Sequence, residues 1–63
     1  MCLSKVYLGQ REEGKMLAEE VAKIQRRGGS IVIRNLFGEN QEIENCFVRE
    51  IDLMDNFVIL ERE

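Results

Sequence analysis

The feature that most constrains this chain is its shortness: 63 residues with no proline, no tryptophan and only two cysteines. A single domain of this size hides only about 60% of the surface that its unfolded chain exposes, so a monomer would be marginal. Small scaffolds make up the deficit with disulfides, a metal or a partner subunit. With two cysteines, metal or dimerisation is what remains, and a homodimer is the simplest remedy. Residues 1–63 read as one domain, without linker or internal repeat.

Hydrophobic residues make up 44% of the chain and charged residues 33%, a globular balance rather than a disordered one. The net charge of −3 argues against phosphate binding as the main task, because nucleic-acid affinity comes largely from neutralised backbone charge. No apolar run reaches the roughly 18 residues of a membrane span, and the N-terminus has no signal-like segment. A cytoplasmic protein is expected, and in that compartment Cys2 and Cys46 stay reduced, as metal ligands or buried apolar groups.

Strand-like patterning dominates. Residues 2–8 alternate, with Cys2, Ser4, Val6 and Leu8 on one face and Leu3, Lys5 and Tyr7 on the other. Residues 10–27 carry two signals. Leu17, Val21 and Ile24 follow helical spacing, yet the stretch ends in Gly28-Gly29, and a Gly-Gly pair between apolar runs marks a hairpin. A strand over about 19–27 is the favoured reading, with helix or strand open for residues 11–20.

Ile31-Val32-Ile33 is the strongest β-branched run, within a strand spanning 30–37. Gly38-Glu39-Asn40 turns the chain, and a short polar strand at 41–43 follows. From Cys46 to Leu53, Val48 and Ile51 fall out of period two, which predicts a β-bulge near Arg49-Glu50. Asp55-Asn56 makes a turn into a last strand at 57–61. The fold class is all-β: a five- or six-stranded barrel or roll of the Sm/SH3-like kind, with a short helical turn within residues 12–20 as the one non-strand option.

Histidine is absent, which removes the commonest general base and the commonest metal ligand together. The pairs Glu12-Glu13 and Glu19-Glu20 read as solvated charge. No catalytic residue is assigned, and the chain is not expected to be an enzyme. A structural zinc site needs four ligands, more than Cys2 and Cys46 supply. Cys46, beside Phe47 and Val48, reads as a small buried hydrophobe. Cys2 differs: its thiolate lies within chelate reach of its own amide nitrogen and of the amine of Met1. Nitrogen and thiolate donors in small chelate rings suit a square-planar ion, nickel(II) or copper(II). Occupation of a strand start, with no metal at all, is the plainer alternative for this cysteine.

The opening Met1-Cys2, Lys5 and Val6 resembles the start of the CooT family, small nickel-binding proteins associated with maturation of carbon monoxide dehydrogenase. So do Val21-x-x-Ile24 before Gly28-Gly29, Ile31-Val32-Ile33, Leu36-Phe37-Gly38-Glu39, Val48-x-x-Ile51-Asp52-Leu53 and Val58-Ile59-Leu60-Glu61. The resemblance implies a homodimer, a single Ni(2+) held between two copies of Cys2, and a nickel enzyme such as carbon monoxide dehydrogenase as partner. It also supplies the preference for nickel over copper. The competing reading is a small Sm-like RNA-binding protein. It rests on Lys23, Arg26, Arg27 and Arg34 around the hairpin, with Tyr7, Phe37, Phe47 and Phe57 as stacking groups. Against it, cations at a hairpin commonly guard a strand edge, and the phenylalanines alternate with aliphatic residues as core does.

Overall fold

A computed structural model describes residues 3–63. Six strands run in chain order: β1 (Ser4–Leu8), β2 (Met16–Arg27), β3 (Ser30–Asn35), β4 (Asn40–Ile43), β5 (Cys46–Asp52) and β6 (Phe57–Arg62). They form one sheet ordered β4-β3-β2-β1-β6-β5, in which β1 and β6 are parallel and every other pair is antiparallel. The sheet curls into an open roll. Its curvature brings β3 toward β5, and the Cys46 amide donates to the Gly29 carbonyl at 3.2 Å.

The turns follow local chemistry. Arg27 pairs with Ser30, leaving Gly28-Gly29 as a two-residue hairpin loop with φ of 65° at Gly28. A positive φ at the first central position is the type II′ arrangement, whose twist matches the flanking strands. In β5 the register passes from Val48↔Leu60 to Glu50↔Ile59, so a bulge falls at Arg49 where the broken alternation predicts it.

The ambiguous stretch after β1 contains both expected states. A single 3-10 turn covers Glu13–Lys15, inside the anticipated 12–20 window, and β2 then begins at Met16, three residues earlier than the sequence suggests. Leu17, Val21 and Ile24 lie on this strand: Leu17 and Ile24 pack against the core cluster that holds Val21. Their helical spacing arises because β2 bends: its register shifts between Val21 and Lys23, next to Glu20 at φ 56°. Before the bend β2 pairs with β1, and after it β2 pairs only with β3 among the described residues.

The inner face of the roll holds the main core: Val6, Val21, Ile31, Ile33, Cys46, Val58 and Leu60, all buried. A second, smaller cluster covers the other face of the central strands, with Tyr7, Phe57 and Ile59 buried and Met16 against them. Tyr7 and Phe57 meet edge to face, their centroids 6.3 Å apart. The Arg11 guanidinium lies 4.2 Å above the Phe57 ring and 3.6 Å from Asp55. Phe57 to Leu60 are therefore buried in succession, which strict alternation does not anticipate.

Candidate functional site

The N-terminal strand enters the sheet at Ser4, opposite Val21 of β2. On its other side the Lys5 amide donates to the Asn56 carbonyl at 3.1 Å, and Lys5 stands level with Phe57. At this rim Ser4, Val21, Ala22, Lys23, Ile24, Ile51 and Val58 line a cleft of about 210 Å³. Its walls are mainly aliphatic. The cleft forms because β2 bends away from β1 at Val21, so the space that another strand residue would fill is left between β2, β5 and β6.

The β5–β6 turn projects beside this cleft. Asp52 Oδ1 accepts the amides of Met54 at 3.0 Å and Asp55 at 2.8 Å, which fixes the turn. The turn exposes Leu53 (83%) and Met54 (91%), and Ile51 on the adjoining strand is 60% exposed. Three large apolar side chains are thus exposed toward the end of the sheet where the N-terminal strand begins. Met1 and Cys2, the metal ligands expected from the sequence, lie outside the described residues.

Cys46 takes the structural role expected of it. It is buried, and its thiol donates to the Ile43 carbonyl at 3.2 Å. Burial pushes the thiol up from its ordinary value, so at neutral pH it is a neutral, poor ligand. It pairs with Arg62 at the far end of β6 from Phe57, where β1 starts. Among the described residues no three histidine, cysteine or acidic side chains converge on a common point. The described part of one copy therefore supplies no closed ligand set.

The residues of the nucleic-acid reading are scattered. Lys23, Arg26, Arg27 and Arg34 are exposed along the β2–β3 hairpin, whereas Tyr7 and Phe57 are buried in the outer cluster. The expectation that the phenylalanines are core residues is corrected for two of them. Phe37 is 72% exposed and Phe47 41% exposed. Phe37 sits not on a strand, as expected, but on the β3–β4 turn, because β3 stops at Asn35. That turn is joined to Glu20, while Phe47 faces Glu61 across β5 and β6. Neither aromatic lies among the hairpin cations in the manner of a stacking groove.

A short curled sheet that exposes Ile51, Leu53 and Met54 toward the end where its N-terminal strand begins has the character of a small β-roll binding module. No match is found among curated proteins. A family model described as CO dehydrogenase accessory protein CooT matches residues 1–61, and the chain belongs to that family. The fold is also similar to a crystal structure assigned provisionally to CooT from Carboxydothermus hydrogenoformans, with a TM-score of 0.82, 22% identity and 98% of each chain covered.

The fold class expected from the sequence agrees with this six-stranded roll. No helix of the described residues is long and apolar enough to cross a membrane.

Proposed function

We propose that this CooT-family chain is a homodimeric nickel(II)-binding accessory protein for maturation of carbon monoxide dehydrogenase. In this reading it catalyses nothing and works in the cytoplasm. The metal is cargo, held by Cys2 thiolates from two copies, with the adjoining amide nitrogen and the Met1 amine as further donors. The observation that carries the reading is the family match, which includes Met1-Cys2.

Two structural features support it. Cys46 is withdrawn from metal chemistry by burial, which leaves Cys2 as the other thiol of the sequence. The rim where β1 begins exposes Ile51, Leu53 and Met54, apolar groups that a second copy would cover. A standard interface of about 800 Å² per partner would take roughly a sixth of this chain's 4548 Å² of surface.

Sedimentation is expected to give about twice the 7.4 kDa chain mass; a monomer at micromolar concentration would remove the shared site. Nickel titration is expected to show one ion per two chains, lost in Cys2→Ser and retained in Cys46→Ala. The reverse pattern would transfer the ligand role to Cys46. Affinity should rise from about pH 6 to 8.5, because an unperturbed thiol near 8.5 and an amine near 7.8 must release protons to bind.

A further inference from the structure

The cleft beside the start of β1 and the β5–β6 turn next to it form a recess and a protrusion at one end of the sheet. The recess, about 210 Å³, has aliphatic walls from Val21, Ile24, Ile51 and Val58, with Ala22 and Lys23 along its β2 side. The protrusion carries Leu53 and Met54, 83% and 91% exposed. Neither is among the residues that line the recess, so the turn leaves its own cleft open.

The turn is held in that position. Asp52 Oδ1 accepts the amides of both Met54 and Asp55, at 3.0 and 2.8 Å, and Asn56 at φ 58° completes the reversal into β6. Leu53 and Met54 therefore stand in water on a fixed backbone, where they add nothing to the core. A partner that received them would not have to order the loop.

Charge distinguishes the two features. Among the described residues neither Lys23 nor Asp52 has an ion-pair partner, whereas Asp55 is met by Arg11 at 3.6 Å. The recess thus bears an uncompensated cation and the protrusion an uncompensated anion, a complementary pair. Both lie on one surface, and this selects the occupant. A two-fold contact uses the same patch on both subunits, so that patch must be complementary to itself. An unrelated partner would match only the protrusion or only the recess, whereas a second copy matches both at once.

We propose that two copies of this chain exchange their β5–β6 turns, Leu53 and Met54 of each entering the aliphatic cleft of the other. Asp52 of each turn then faces Lys23 of the receiving copy. The unbranched Met54 side chain adapts to the irregular floor of the cleft. Ser4 lines the same cleft, so the starts of both β1 strands lie at this interface. The inference rests on the homodimer proposed above and names the contact that holds it.

Sedimentation equilibrium of the full-length protein and its variants, each checked for fold by circular dichroism, tests it. Replacing both Leu53 and Met54 with Ser is expected to weaken the dimer at least tenfold. Ala22→Phe, which fills the cleft from an exposed position, should weaken it similarly. Mixing these two proteins should restore association, because the first keeps an open cleft and the second keeps an intact turn. Asp52→Asn, which retains the oxygen that fixes the turn, should weaken the dimer a few fold at low salt and little at high salt. A wild-type monomer would overturn the homodimer reading and this contact with it. A wild-type dimer left unchanged by the Leu53 and Met54 substitutions would overturn the exchange alone, and so would two weakened variants that fail to associate when mixed, since the interface would then lie elsewhere or the turn would serve another partner.

Discussion

The two apolar clusters of this protein lie back to back on the same strands, yet they are built differently. The inner one draws buried side chains from β1, β2, β3, β5 and β6 and closes the roll. The outer one has three buried residues, with Met16 at its side and Arg11 laid over Phe57. Leu60 and Ile59 are neighbours in sequence, with 0% and 4% exposure, and belong to different clusters. Similar burial can therefore mean different things: enclosure by many strands on one face, and cover by a short loop with a cationic lid on the other.

The sharpest way to separate the clusters is to delete the same number of carbons from each. Leu60→Ala is expected to cost about 4 kcal/mol, toward the upper part of the range for such truncations, because strands on all sides of the inner core cannot collapse on the void. Chemical denaturation would measure it. Ile59→Ala should cost about 2 kcal/mol, because Met16 and the loop after β1 can relax into the space. Equal losses would mean that the outer cluster is as constrained as the inner one.

A smaller effect is expected from the lid. Arg11→Ala removes a cation over an aromatic ring at a half-exposed position, and should cost about 0.5–1 kcal/mol. Arg11→Lys should recover only part of this, since a guanidinium stacks on the ring and an ammonium does not. Its contact with Asp55 is exposed and should contribute little by itself.

The smallest effect concerns Cys46, the one titratable side chain of the inner core among the described residues. Its thiol is pushed up chiefly by burial, with the Ile31 backbone and Arg62 acting the other way. The unfolded chain therefore loses this proton first. Stability from the neutral thiol is complete below the unfolded value near 8.5 and declines as pH rises from there toward the raised folded value. Thermal melts of wild type and Cys46→Ala, compared from pH 7 to 10, should converge as pH rises. Parallel curves would show that Cys46 titrates alike in both states.

Much of the fold could be read from local chemistry. Gly28-Gly29 before Ile31-Val32-Ile33 specifies a hairpin because glycine accepts the required φ and β-branched residues favour the pleated chain. The bulge at Arg49 was legible in the spacing of Val48 and Ile51, since an extra residue must displace the alternation. Burial of Cys46 followed from its apolar neighbours. The rim at the N-terminal strand was legible only in part: the phase of Ser4 and Val6 could be read, but not the exposure of Ile51, Leu53 and Met54 toward that end of the sheet.

By itself the sequence determined an all-β chain with these turns, the lack of imidazole, and the motifs that mark the family. Tertiary structure decided which faces of the strands were covered. Tyr7 is buried because Phe57 and Ile59 stand beside it on β6, a parallel neighbour about fifty residues away in the chain. Phe37 is exposed because β3 ends at Asn35, whose side chain captures the next turn before another strand residue can form. The bend in β2, which opens the cleft and imitates helical spacing, needs β1 on one side and β3 on the other to give it a reason. Alternation tells which residues share a face; only the packing of distant strands tells whether anything lies on it.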